Sequence, residues 1–417
     1  MLVGVLLIVL ALLGAPLFAV IAASTIWGHY RTELPMSGIP IDFFGLAETP
    51  ILLAIPLFTY AGYVLSESEA PARLVRLTRA WMGWMPGGLA VVALATCAFF
   101  TAFTGASGVT IIALGALLYP ALAQDGYPEN FNLGLVTSAG SLGLLFAPSL
   151  PLILYGIVAK TSIDDLFLAG VFPGLLMVVM LAGYSIWINR ENRRQLADFS
   201  FADGLATLRE SAWELPLPIV VLGGIYSGYF AVSEAAAVTA LYVTIVEVFI
   251  RREISLQRLA GVMRESMVLV GGILIILGVS LASTNYMILQ DVPQQTFELI
   301  DGLVDTQAGF LALLIVFLLV LGAFLDIFSA LILVVPLILP IATSFGVHPL
   351  HLGIVFLATM QLGYLTPPVG LNLFIASYRF DAPIMTIYRA TLPFLLILLV
   401  SVIIIAYVPQ MTLALID

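Results

Sequence analysis

Charge is what this sequence has least of: only 10% of its 417 residues are Asp, Glu, Lys or Arg, while 61% are hydrophobic. A water-soluble fold of this length needs far more polar surface, so the composition marks a polytopic membrane protein. Cysteine is nearly absent, and Cys97, alone in an apolar run, offers neither a disulfide nor a thiolate metal site. No glycine-rich phosphate loop ending in Gly-Lys-Ser/Thr occurs, which excludes ATP hydrolysis by that route. Low-complexity tracts, heptad repeats and basic nucleic-acid patches are missing too. The net charge of -10 says little, because both signs are confined to loops.

What remains is apolar runs: 1 to 30, 49 to 66, 80 to 124, 130 to 159, 166 to 189, 215 to 233, 266 to 290, 306 to 325, 327 to 378 and 390 to 416. The first contains a signal-peptide-like "AVIAAS" but lacks a basic start and is long enough to span, so it reads as a retained helix. Since a crossing uses roughly 20 residues, residues 80 to 124 must turn back, and the split falls at "GASG", Gly105 to Gly108. Each arm, about 88 to 103 and 109 to 124, is near 16 residues, which predicts a re-entrant hairpin with its tip inside the membrane. The next run is expected to be one crossing interrupted at Phe146 to Leu150.

The basic residues test this count. With the amino terminus inside, Arg73, Arg76, Arg79, Arg190, Arg193, Arg194, Arg209, Arg251, Arg252, Arg258, Arg264, Arg379 and Arg389 face the cytoplasm, so 13 of 15 obey the positive-inside rule and only Arg31 and Lys160 fall outside. The segment "APARLVRLTRAWMGWMP" fits an interfacial helix, with Arg73, Arg76 and Arg79 on one face and Leu74, Leu77 and Trp81 on another. Linking helices are expected at about 214 to 230 and 232 to 250.

An internal repeat organises the chain. A shift of 220 residues lays "GSLGLLFAPS" (140 to 149) on "MQLGYLTPPV" (360 to 369) and pairs Pro120 with Pro340, Gly126 with Gly346 and Pro173 with Pro393. One residue of slippage also pairs "AFTGAS" with "AFLDIF", which brings Ser107 near Asp326. On the topology above the two broken crossings run in opposite directions. Inverted repeats with matching discontinuous helices are the mark of secondary transporters, with the site near the midplane.

The chemistry follows from the break. An interrupted helix exposes carbonyls at one half-helix end and amides at the other, so it can hold a cation and an anionic group without burying a formal charge. Pro148, Pro367 and Pro368 enforce the break, and Gly143 and Gly363 permit close approach. Hydroxyls of Ser107, Ser149, Ser329 and Thr366 add oxygen ligands for a hard ion. Asp326 is the only carboxylate between 306 and 380, either an intramembrane functional group or a carboxylate paired at a helix end. Ser138 and Ser141 are candidates for a cavity lining, or simply let helices approach. Glu234 and Glu247 read as structural, and His348 and His351, flanking Pro349, as solvated or capping. A rival class enters because "GASG" matches the surroundings of the nucleophile in rhomboid-type intramembrane serine proteases. The topology separates Ser107 from His348, however, so no Ser-His pair is expected.

The stretches "FTGASGVTIIALGALLYPAL", "GYPENFNLGLVTSAGSLGLLFAPSLPLILYG", "LFLAGVFPGLLM" and "LDIFSALILVVPLILPI" together resemble the large membrane subunit of tripartite ATP-independent periplasmic (TRAP) transporters, from about residue 45 to 409. The resemblance implies an all-α membrane fold of elevator type, with two re-entrant hairpins and two discontinuous helices. It divides the chain into scaffold helices and an arm helix (1-87), a first transport half (88-190), linking and scaffold helices (191-307) and a second transport half (308-417). It further implies sodium-coupled import of an organic acid such as a C4-dicarboxylate or sialic acid across a bacterial or archaeal cytoplasmic membrane. A small four-helix membrane subunit and a periplasmic binding protein would be the partners. Carried onto this sequence, one sodium site would use Ser107 with carbonyls around Gly105, Gly143, Phe146 and Pro148, and the other Asp326 with Gly363, Thr366 and Val369. Ser138, Ser141, Ser149, Ser329, Pro367 and Asn372 are the substrate-cavity candidates. Many relatives carry a longer polar tip of the GISGSAxAD kind, which "GASGVTII" shortens. Proton coupling, or a carrier independent of a binding protein, is the competing reading.

Overall fold

The computed structural model describes residues 2–85, 87–190, 200–302 and 304–416, and among these no strand occurs. Lipid offers no partner for backbone N–H and C=O groups, so apolar runs of this kind fold as helices. Eight helices among the described residues are long and apolar enough to cross a membrane, and there are up to nine crossings if the bent pair Glu129–Leu145 and Leu150–Ala159 is one span. The chain is a multi-pass membrane protein. Its first apolar run is not one helix: Leu2–Leu12 and Leu17–Arg31 are parted at Gly14, with φ +90°, and Pro16.

The 220-residue offset governs whole elements. The first hairpin has arms Gly88–Thr104 and Ser107–Gln124, and the second has arms Gln307–Phe324 and Ile327–Ser344. Each is followed by a helix that stops early, Glu129–Ala139 or Pro349–Gly363, and after a break by Leu150–Ala159 or Leu371–Arg379. Both breaks hold a cis proline bond, Ala147-Pro148 and Pro367-Pro368. Gly126 and Gly346, after the hairpins, share a positive φ of 79° and 78°, a turn conformation that favours glycine.

Slippage at the tips is not needed. The residues between the arms are Gly105 and Ala106 in one copy, Leu325 and Asp326 in the other, so Ala106 and not Ser107 occupies the position of Asp326. The first break is also wider than expected, because the helix already stops at Ala139 and a short 3-10 turn, Leu142–Leu145, fills part of the gap. The hairpin arms, at 17 to 18 residues, reach about 27 Å at 1.5 Å per residue. Length alone therefore does not separate a re-entrant arm from a full crossing of a roughly 30 Å hydrocarbon layer.

Contacts between the copies are reciprocal. Ser107–Gln124 packs on Leu371–Arg379, while Ile327–Ser344 packs on Leu150–Ala159. Likewise Leu17–Arg31 packs on Leu256–Leu289, and Ala54–Glu67 on Val232–Thr244, elements that correspond under the same offset. Such mutual exchange is what a two-fold relation produces.

The helix Ala70–Met82 differs from its expected role in one respect. Its arginine face meets the protein's own carboxylates rather than standing free: buried Arg73 contacts Glu214 at 2.6 Å, Glu247 at 3.4 Å and also Glu253, and Arg76 pairs with Glu210. Glu247, read from the sequence as structural, lies buried on a π-helical segment, Ile245–Ile250. Glu234 accepts a hydrogen bond from the N–H of Ala231 and closes a helix start. Arg193 and Arg194, of the loop expected on the cytoplasmic side, lie outside the described residues.

Candidate functional site

Each hairpin tip is pressed against the helix break that follows it. At the first junction Gly105 adopts φ +64°, and a side chain there would lie 2.6 Å from Cβ of Leu150, at the start of the second half-helix. Gly143 sits against the first arm so closely that a Cβ would meet the Ala98 carbonyl oxygen at 2.3 Å. Only glycine allows backbone to meet backbone in this way. Phe146 and Pro148 lie in the break itself.

Hydroxyls knit this junction. Thr101 donates to the Gly140 carbonyl at 2.9 Å and shares a 2.7 Å hydrogen bond with Thr110, so the carbonyl left over where the first half-helix ends is satisfied from the hairpin. Ser107 donates to Oδ1 of Asn372 at 2.7 Å, and the amide of Asn372 reaches the Thr137 carbonyl at 3.4 Å. Asn372, expected in a substrate cavity, is wholly buried at the first junction. Ser141 donates to the Ser138 carbonyl at 3.4 Å, whereas the buried hydroxyls of Ser138 and Ser149 have no protein partner.

At the second junction Asp326 caps the second arm. Its Oδ1 accepts from the N–H groups of Phe328 and Ser329, both at 3.0 Å, and its Oδ2 accepts from the Ser329 hydroxyl at 2.5 Å. The remaining N–H at this start, from Ile327, donates to the buried Tyr364 hydroxyl at 2.6 Å. Gly363 abuts Gly322, where a Cβ would approach Cα to 2.5 Å, and the Gly370 N–H donates to the Ala323 carbonyl at 3.0 Å. Thr366 donates to the Leu362 carbonyl at 3.0 Å, and Pro367 and Val369 lie exposed in the break.

The two expected residue sets thus gather at two junctions, with Asn372 crossing from one copy to the other. Thr101, Thr110 and Tyr364 were missed by sequence reasoning. For the two threonines, hydroxyls about a turn from a tip in otherwise apolar arms were the available signal; Tyr364 stands at the second break, outside the arms.

The histidines stand apart from Ser107. His348 accepts from the Leu350 N–H at 3.3 Å, the capping role expected of it. His351 is not solvated but buried, bonded to Thr412 at 2.8 Å and the Ala406 carbonyl at 3.1 Å. His29 bonds the Thr25 carbonyl at 3.0 Å, so none of the three forms a Ser-His pair with Ser107.

Comparison with known proteins gives the same outline. The family described as "Tripartite ATP-independent periplasmic transporter, DctM component" matches residues 4–411. The chain is 35% identical to the C4-dicarboxylate TRAP transporter large permease protein DctM of Pseudomonas aeruginosa, over 90% of this chain and 88% of that one. It is 33% identical to the isethionate TRAP transporter permease protein DctMQ of Oleidesulfovibrio alaskensis, over 91% of this chain, and spans 61% of that longer protein. Among solved structures, the YdaH transporter of Alcanivorax borkumensis superimposes with a TM-score of 0.59 over 88% of this chain and 86% of that one. At 15% identity that likeness concerns the fold alone.

Proposed function

Because the chain belongs to the DctM-type large permease subunits of tripartite ATP-independent periplasmic transporters, we propose that it carries an organic acid inward across a bacterial inner membrane, coupled to sodium. Proteins of this family are transporter subunits and not enzymes. The relatives named for C4-dicarboxylate and isethionate suggest a small organic anion as cargo. A small four-helix membrane subunit and a periplasmic substrate-binding protein complete the system.

The observation that carries this reading is the duplicated junction of hairpin tip and helix break, repeated 220 residues apart. Both tips are re-entrant in this reading, and the copies are inverted in the membrane. Residues 88-190 and 308-417 form a transport unit that moves as an elevator against a scaffold of 1-87 and 191-307. What favours a cation at the first junction is the buried Ser149 hydroxyl, which has no protein partner in the break that holds Phe146 and Pro148. Gly105, Ser107 and Gly143 complete that sodium site. At the second, Asp326 supplies the only full negative charge, and Gly363, Thr366 and Val369 supply neutral oxygens. Ser138, Ser141, Ser149, Ser329, Pro367 and Asn372 border the cargo between them. Positive half-helix starts at Leu150 and Leu371 favour the anionic end of the cargo.

Uptake into proteoliposomes holding this chain, its small subunit and its binding protein tests the proposal, with a sodium gradient imposed inward or absent. Sodium-dependent accumulation is expected. Uptake that ignores sodium and follows a proton gradient would replace the coupling ion, and uptake without the binding protein would remove that partner.

A further inference from the structure

Besides the two junctions the protein has a cavity of about 390 Å³, a volume typical of small-molecule sites. One wall is the end of Leu150–Ala159 with Lys160, another is the Ile332 to Pro340 stretch of the second hairpin, and the third is the last turns of Leu256–Leu289. On this arm the lining runs from Ile332, six residues beyond Asp326, to Pro340, fourteen beyond, roughly 9 to 21 Å along the helix. No residue of either tip or break lines the cavity.

Its lining is lopsided. Among the described residues Lys160, the only lysine of the chain, is the single charged group that lines it. Thr49, Thr284 and Asn285 also line it, and among the described residues neither they nor Lys160 make a side-chain hydrogen bond or ion pair. A cation with three uncommitted polar side chains, set in walls of Leu277, Ile332 and Leu339, calls for an amphipathic anion. A lipid tail would fill the walls and leave all four polar groups unpaired.

We propose that this cavity is a second anion site, taking a small carboxylate whose charged end meets Lys160 and whose other polar atoms meet Thr49, Thr284 and Asn285. It lies between Lys160 and the Ile332 to Pro340 stretch on one side and Thr49, Thr284 and Asn285 on the other. Lys160 lies at the rim, where it draws anions from solution before they reach the polar side chains.

The test places a cysteine at Ile288, an exposed rim position of the cavity, in a Cys97→Ser background of the full chain. Modification rates are compared for an anionic sulfonatoethyl and a cationic trimethylammonioethyl methanethiosulfonate. The anionic reagent is expected to be preferred about tenfold, with the preference lost in Lys160→Gln and kept in Lys160→Arg. Millimolar succinate slows the reaction in the Lys160 protein and leaves Lys160→Gln unaffected. A preference indifferent to Lys160→Gln, equal loss in Lys160→Arg, or no slowing by succinate overturns the proposal. Because labelling needs no transport, failed uptake with these results intact would count against the import reading alone.

Discussion

The hydroxyl of Ser107 donates a 2.7 Å hydrogen bond to the side-chain oxygen of Asn372, 265 residues later in the chain. One partner stands at the tip of the first hairpin and the other on the second half-helix of the opposite copy. The first junction is consequently built from both copies, and a change in either is felt in one place.

That bond predicts coupling. Both groups are buried, so Ser107→Ala or Asn372→Ala leaves a buried polar atom unpaired and should cost about 1–3 kcal/mol. The double variant should lose less than the sum of the two. Thermal unfolding of the purified chain in detergent measures all three, and strict additivity would contradict the contact.

The backbone approaches at the breaks predict intolerance to a single methyl. Gly143→Ala meets the Ala98 carbonyl at 2.3 Å and Gly363→Ala meets Gly322 at 2.5 Å, and neither neighbour is a flexible side-chain end. Overpacking of this kind costs about 1–3 kcal/mol or more. Gly183→Ala, an exposed position inside the helix Val171–Ile188 with nothing within 4 Å, is the control and should melt at or slightly above the parent.

Arg73 stands among three carboxylates, two of them as buried as itself. Arg73→Met would strand those charges, and loss of one partner of a buried ion pair typically costs about 3–5 kcal/mol. Folded yield and melting temperature should fall sharply. An unchanged melting point would show that the cluster is not what joins the helix Ala70–Met82 to the body.

Acid should loosen the same cluster through Glu253. Burial opposes its ionisation, but hydrogen bonds from Arg73 and from the Glu69 N–H prevail and hold its carboxyl below the ordinary 4.5. A depressed folded value means that the stabilisation is complete above 4.5 and is lost as pH falls through the lower folded value. Melting temperature followed into acid should therefore drop more steeply for the parent than for Glu253→Gln.

Asp326 separates a cap from a coupling residue. Asparagine caps helices about as well as aspartate, so Asp326→Asn should melt near the parent while Asp326→Ala loses about 1 kcal/mol. In uptake assays Asp326→Asn should need severalfold more sodium, as should Thr366→Ala. Unchanged sodium dependence in both would remove the second proposed sodium site.

Composition and spacing alone determined that this chain lives in a membrane, that it is helical, and that it carries two copies of one broken device. Those properties are local or periodic: apolar runs compel helices in lipid, and closely spaced Gly and Pro mark where both copies break, while Pro120, Pro336, Pro340 and Pro393 stay inside helices. The pairing of positions within the copies was less legible. Sequence matching drew Ser107 toward Asp326, whereas the helix caps put Ala106 there, because capping depends on backbone geometry that residue identity only partly encodes. Three facts were decided by the tertiary structure alone. Asn372 was placed in the other copy's junction, His351 was buried, and Arg73 was turned toward three glutamates from distant segments. Each is a contact across tens to hundreds of residues, fixed by how the helices pack within and between the copies, and no pattern along the chain records which faces that packing brings together.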